Sequence, residues 1–275
     1  MIANYRMYSV APAVDMAWRR LLERLSETSG VALQIIDYPA PAPLAELWAR
    51  EDCACVFMCG LPFIRRNPLP QIIAAPVPAA ARYGSRPIYF SEFLVPDASP
   101  YQTLADTFDL RLACMLPESN SGFNAPRHHL ALRAPGGRQW LYHPTASPTP
   151  TPLQVIHAVL DGSAEVGVVD SYLLDLLRAH RPELMESLRT IDVTEPSPIP
   201  LFVAGSGMPR ASVERLAKTL CAMHLDQTVQ PALECLMLER FVRPDSDSYL
   251  SLLEKANRCD QQGFYLTKPR DRSTS

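Results

Sequence analysis

The chain has 275 residues, 47% hydrophobic and 20% charged, with 26 basic and 29 acidic side chains and a net charge of −3. That is enough apolar material for the core of one large domain or of two lobes. It supplies neither a basic field for a nucleic-acid backbone nor a polybasic segment for a membrane surface.

In chain order, Ile2 to Met7 reads as a short strand. Val14 to Glu27 carries Val14, Trp18, Leu21, Leu22 and Leu25 at helical spacing, and Gly30 is placed to stop that helix. Val31 to Asp37 is a strand, Leu44 to Arg50 a short helix, and Ala54 to Cys59 a buried strand that breaks at Gly60-Leu-Pro62. Gln71 to Pro76 is a further strand. This alternation predicts a mostly parallel sheet with helices on its faces. Pro87 to Val95 is long for one strand and reads as a crossover into a second sheet.

A second alternation follows. Leu110 to Leu116 is a strand, Asn124 to Leu132 a helix, Gln139 to Tyr142 a strand, and Leu153 to Leu160 a helix closed by Asp161-Gly162. Ala164 to Asp170 is a strand ending on an acidic residue, and Ser171 caps a helix through Ala179. Leu188 to Val193 and Ile199 to Ala204 are extended. The proline-rich Thr194 to Pro200 between them cannot be helical. Helical spacing returns over Val213 to Leu225, Pro231 to Arg240 and Ser248 to Asn257. The polar tail from Lys268 reads as loose.

Proline is abundant, at 27 residues against 11 glycines, and its scatter through the loops suggests stiffened connections. Seven cysteines, an odd count in a chain of this length, make no disulfide framework and suit a reducing compartment. Cys53, Cys55 and Cys59 fall on one strand face by period-two counting. The first two read as core, and Cys59, at the strand end beside Gly60, as a cleft-lining candidate. His128-His129 point to different sides of a helix and make no metal pair; no metal or cofactor site is expected. Trp18, Trp48 and Trp140 read as core. Met1 to Tyr8 holds no basic region followed by an apolar core, and no apolar run approaches the length of a membrane span. On that reading the chain is cytoplasmic, or periplasmic if a leader has been removed.

The stretch that carries chemistry is Pro117-Glu-Ser-Asn-Ser-Gly-Phe123. A strand that ends in such a turn and opens a helix presents unpaired amides at the positive end of a helix dipole, which can hold a phosphate-like anion or a carboxylate without arginine. Gly122 is expected to leave room for a ligand near the backbone. Ligands of open α/β sheets sit beyond the carboxyl ends of the strands, where Ser119 to Gly122 and Asp170 both fall.

These pieces have a familiar order. Met7-Tyr8 follows the first strand, Met58-Cys-Gly-Leu-Pro62 the third, and Ile88-Tyr-Phe-Ser91 stands at the crossover. Ser119-Asn-Ser-Gly-Phe-Asn124 comes next, then Ile156-His-Ala-Val-Leu-Asp-Gly162 running into Ala164-Glu-Val-Gly-Val-Val-Asp170, and Thr194 to Pro200 as the return. Over roughly residues 1 to 205 the chain resembles the type II periplasmic-binding-protein superfold. Within it, the likeness is to the phosphate/phosphonate-binding (PhnD-like) group of ABC-transporter solute-binding proteins. The resemblance implies an α/β fold of two lobes, each a mixed sheet flanked by helices, with a hinged cleft. Lobe I is residues 1–90 plus 195–275, and lobe II is residues 91–194.

The resemblance also implies capture of a small anionic or zwitterionic ligand in that cleft without turnover, and an ABC permease as partner. Monomer and homodimer both remain open. By position, Ser119, Asn120, Ser121 and Gly122 would hold the anion, Tyr8, Cys59 and Gly60 would line the opposite lobe, and Tyr89 would lie near the hinge. Asp170 would accept a hydrogen bond from the ligand, or share the capping of its helix with Ser171. The family's Gly-x-Ser-His-like turn is replaced by Thr145-Ala-Ser-Pro-Thr-Pro-Thr-Pro152, which leaves Thr149 and Thr151 as the nearby donors. Enzymes of menaquinone and thiamin-pyrimidine synthesis share the superfold. The alternative is therefore a cytoplasmic lyase or dehydratase of a small carboxylate or phosphate ester, with Asp170 as its base.

Overall fold

The computed structural model describes residues 1–269, so residues 270–275 of the tail expected to be loose lie outside the described residues. Contacts divide the chain into two units. The first holds Met1–Tyr89, Asp175–His180 and Pro198–Leu250, and the second holds Phe90–Leu174, Arg181–Ser197 and the chain from Ser251 onward.

The first unit is built on a six-stranded sheet in the order Leu238–Val242, Gln71–Pro78, Leu201–Ala204, Cys53–Met58, Ile2–Asn4, Gln34–Ile35. Ile2–Asn4 is parallel to both its neighbours. Leu201–Ala204 is antiparallel to Cys53–Met58 and to Gln71–Pro78, which is in turn antiparallel to Leu238–Val242. The sheet is therefore mixed, where the alternation over residues 1–76 predicts a mostly parallel one. Order along the chain cannot show that a strand from residue 201 inserts between two early ones.

The helix Pro12–Ser29 starts with proline at its first position, where no amide is needed, and ends at Gly30 in the left-handed region (φ 66°). Its stripe Val14, Trp18, Leu21, Leu22 and Leu25 is buried, as the spacing predicts. Trp18 is fully enclosed and meets Phe57, Phe202 and Phe241 edge-on. Phe57 stacks on Phe202 at 3.8 Å between ring centroids. The helix expected over Pro231 to Arg240 stops at Cys235, and Leu238–Val242 is a strand. Met237 turns the chain with φ 53°, and Phe241 is buried against the aromatic core. The core outweighs the local spacing.

The second unit has a five-stranded sheet in the order Leu188–Val193, Ser91–Pro96, Val166–Asp170, Arg111–Ala113, His143–Pro144. Ser91–Pro96 is antiparallel to both of its neighbours, Leu188–Val193 and Val166–Asp170. Arg111–Ala113 runs parallel to Val166–Asp170 on one side and to His143–Pro144 on the other. The strand expected over Gln139 to Tyr142 forms just beyond that range, at His143–Pro144, because Leu141 and Tyr142 turn into the core and the Tyr142 hydroxyl meets that of Thr107 at 2.8 Å.

Residues 251–269 group with this second unit, whereas the resemblance assigns 195–275 whole to the first lobe. Specific contacts hold them there. The Asn124 side-chain amide donates to the Leu252 carbonyl (3.1 Å), Arg127 pairs with Asp260 (2.7 Å), and the Lys268 amide donates to the Tyr142 carbonyl (2.8 Å).

Candidate functional site

The geometry begins with register. Leu112 pairs with Val166 and Ala113 with Gly167, while Arg111 pairs with His143 and Leu112 with Pro144, all in the parallel sense. Three strands thus release their carboxyl ends on one edge of the second unit. The segments beyond them are 114–122, 145–151 and Asp170 with the helix Ser171–His180. The Thr149 hydroxyl joins two of these by donating to the Cys114 carbonyl at 2.6 Å.

Ser119 caps the helical segment that follows, its hydroxyl accepting the Gly122 amide at 3.0 Å. The first turn, Asn120–Asn124, is a π-turn. Asn124 N–H reaches back five residues to the Ser119 carbonyl (3.0 Å), and Ala125 N–H reaches the Asn120 carbonyl. Pro126 gives the physical reason. It has no amide to offer the Gly122 carbonyl four residues back, and its ring crowds that oxygen. The freed Gly122 carbonyl instead accepts the Met115 amide at 3.0 Å, tying the turn to the preceding loop. The widened turn then runs into the α-helix Ala125–Ala131. As the second residue of the helical segment, Ser121 has no helical carbonyl behind it to receive its N–H. Asn120 is fully buried and Ser121 nearly so, and the Ser121 hydroxyl makes no hydrogen bond among the described residues.

Gly122 has a packing duty that its sequence does not show. A Cβ built there would lie 2.6 Å from both Cβ and Cγ of Met115. Its bareness admits Met115.

The threonines and Asp170 sit at this edge with structural work in hand. Thr151 caps the helix Pro152–Leu160 in a reciprocal box with Gln154, accepting its amide at 3.3 Å. Thr149 holds the 114 loop as described. Asp170 Oδ1 accepts the Leu173 amide at 2.8 Å, so the capping contact is made.

In the first unit, Asn4 pairs with Val56 in parallel, so Tyr8 and the Cys59-Gly60 corner follow the ends of adjacent strands. Tyr8 ends a 3₁₀ turn, Arg6–Tyr8, and packs its ring edge-on against Phe57 at 5.3 Å, with 1% of its surface exposed. Cys59 precedes the helix Gly60–Arg65, in a place expected to be a simple break, and is buried. Tyr89 ends the strand Ile88–Tyr89 and is likewise buried. Cys53 and Cys55 are core residues, and burial pushes the Cys53 thiol up to about 11. Trp18 is core, whereas Trp48 and Trp140 are half-buried.

Residues 8–249 match the family model described as "ABC transporter, phosphonate, periplasmic substrate-binding protein". The chain belongs to this family. A binding-protein component of an ABC phosphonate transporter from Pseudomonas aeruginosa shares its fold with a TM-score of 0.77 at 15% identity, over 95% of this chain and 87% of that one. PhnD1 from Prochlorococcus marinus, solved with methylphosphonate, gives a TM-score of 0.75 at 15% identity over 95% and 98%. XAC2383 from Xanthomonas citri, solved with ATP, gives 0.64 at 18% over 95% and 97%. No curated protein matches the chain. The fold is that of the two-lobe periplasmic binding proteins, as the motif order implied. Among the described residues of this family member, no helix is long and apolar enough to cross a membrane, and no group of three or more His, Cys, Asp or Glu side chains is placed to hold a metal ion.

Sequence reasoning missed Cys114 and Met115, which lie between strand and turn and line the same edge. The signal available was the proline alternation at 144, 148, 150 and 152, which keeps the facing loop extended.

His128 and His129 lie one turn beyond the site and line one small recess together with Glu195 and Lys255. His129 Nε2 is 2.9 Å from Asp192 Oδ2. Burial is the first cause that pulls both imidazoles below their ordinary value, with Lys255 and Arg258 adding to it at His128. The unfolded chain therefore binds protons first as pH falls. Stability should drop from about pH 6.5 downward, by at most about 1.4 kcal/mol per pH unit for each histidine, and level off once the native imidazoles protonate. Denaturant midpoints between pH 5 and 8 check this, and His128→Phe should flatten the curve.

Proposed function

We propose that this chain captures a small phosphonate or related oxyanion for an ABC permease, with the turn Ser119–Gly122 receiving the anionic head. The observation that carries the reading is the π-opened first turn at the carboxyl ends of three parallel strands. There the Ser121 amide and hydroxyl stand at the positive end of the helical segment. Ser119 acts indirectly by fixing the Gly122 amide. Family membership supports both the ligand class and the permease partner, and the methylphosphonate held by the Prochlorococcus relative fits the same chemistry. We place its work in the periplasm, in keeping with the family description. Turnover is not part of the reading. Asp170, the base an enzyme would need, has one carboxylate oxygen committed to its helix.

Thermal-shift and calorimetric titration with inorganic phosphate, phosphite and methylphosphonate test this. A ligand at a hundred times its Kd should stabilise the fold by about 2.7 kcal/mol. Ser121→Ala should weaken binding by roughly tenfold, the loss of one charge-assisted hydrogen bond. Lys268→Ala should bind as the parent does. Equal affinity of both variants would remove the turn as the site.

A further inference from the structure

Beside the oxyanion turn lies a second feature that the head group does not use. A recess of about 280 Å³ opens in the second unit between Cys114–Pro117 and the facing segment Pro144–Thr149. None of its lining residues is charged. Its two hydroxyl side chains are turned to backbone carbonyls, Thr149 to that of Cys114 (2.6 Å) and Thr145 to that of Ser147 (2.7 Å). Burial pushes the Cys114 thiol up to about 12, so it meets the recess as a neutral, weakly polar group. What remains is Leu112, Met115, Leu116 and three prolines.

Met115 joins the recess to the turn. Its amide donates to the Gly122 carbonyl at 3.0 Å, and its sulfur lies 3.8 Å from the Ser119 hydroxyl. A ligand whose head sits on the turn therefore has an apolar space one residue away. A cavity of roughly 150 Å³ already accepts benzene, so a short alkyl chain or a phenyl ring fits here.

We infer that the ligand of this chain is a phosphonate or comparable oxyanion carrying an uncharged, apolar substituent, which the 114–117 and 144–149 recess receives. The inference rests on the oxyanion reading of the turn. An ammonium-bearing substituent would lose its hydration in the recess and find no carboxylate among the lining residues. Met115 suits the role, because its flexible thioether adapts to substituents of different shape.

Titration with inorganic phosphate, methylphosphonate, 2-aminoethylphosphonate and n-butylphosphonate tests the assignment. Each buried methylene is worth about fourfold in affinity, so n-butylphosphonate should bind roughly tenfold or more tighter than methylphosphonate, and 2-aminoethylphosphonate weaker than n-butylphosphonate. Leu116 is about half exposed, so Leu116→Trp fills the mouth without disturbing the core, and it should bring the butyl-to-methyl ratio to within about threefold. Equal binding of the butyl and methyl ligands by the parent, or an unchanged ratio in Leu116→Trp, overturns the recess while the oxyanion reading stands. Failure of all four ligands to bind overturns the reading beneath it as well.

Discussion

Replacing Gly122 by valine should sharply weaken capture and destabilise the second unit together. A side chain at this position starts 2.6 Å from Met115 Cβ and Cγ, closer than real Cβ contacts come. The two residues cannot separate freely, because the Met115 amide is bonded to the Gly122 carbonyl and the Gly122 amide to the Ser119 hydroxyl. Relief must come from breaking one of these bonds or from moving the loop. Overpacking of this kind typically costs about 1–3 kcal/mol. Loss of the amide geometry should weaken oxyanion binding by about a hundredfold, since the turn's donors would no longer converge. Urea unfolding and calorimetric titration measure the two effects. Met115→Gly combined with Gly122→Ala should recover stability over Gly122→Ala alone, because the clashing atoms are gone. A Gly122→Val protein with parental stability and affinity would show that Met115 yields and that the turn is not so held.

The largest effect on stability is expected from Phe57→Ala in the first unit. Phe57 is buried, stacks on Phe202 at 3.8 Å, and takes edge contacts from Tyr8 at 5.3 Å and Trp18 at 5.2 Å. Truncation leaves a cavity bounded by three large rings that cannot collapse into it, for a loss of about 3–5 kcal/mol. In a domain of this size that is a Tm drop of roughly 6–15 °C. Tyr8, which rests against Phe57 just past the end of the first strand, should lose its fixed ring position at the same time. The aromatic region of an NMR or near-ultraviolet CD spectrum would report that loosening. A Tm within two degrees of the parent's would show that the aromatic cluster repacks, contrary to its crowding.

The two substitutions differ in how far the sequence foresees them. Trp18 and the rest of its helical stripe point inward by spacing alone, and Phe57 lies in an unbroken apolar strand, so the core was open to reading from periodicity. The helix stop at Gly30 was readable for the same kind of reason, since a left-handed turn favours glycine wherever it occurs. Gly122 was legible only as a glycine beside a helix start. Its partner Met115 is seven residues away, and nothing local says that the two backbones touch. The carrier of that contact, Pro126, acts by what it lacks. Without its amide the Gly122 carbonyl is released, and the first turn widens to accommodate the change.

Thr149 and Thr151 show the same limit from the other side. As residue types they are donors at that edge of the second unit, but the Thr149 hydroxyl is taken by the distant Cys114 carbonyl, while that of Thr151 is taken by the capping box with its neighbour Gln154. Asp170 was readable as either a cap or a ligand contact, and the Leu173 amide 2.8 Å away makes the capping contact.

Local chemistry therefore settled what depends on neighbours in the chain: where most of the helices and strands fall, that the chain alternates in two α/β sections, that a Ser-Asn-Ser-Gly turn opens a helix, and which family the motif order belongs to. Folding in three dimensions settled what depends on distant partners. It put the strand at residue 201 antiparallel between two early ones, made 238–242 a strand against a core of aromatic rings, and attached the last described helix to the second unit. It also brought the 145–151 loop against residues 114–117 to make an apolar recess. Each of these is fixed by burial and hydrogen bonding between residues far apart in the chain, and no periodicity along the backbone encodes that pairing.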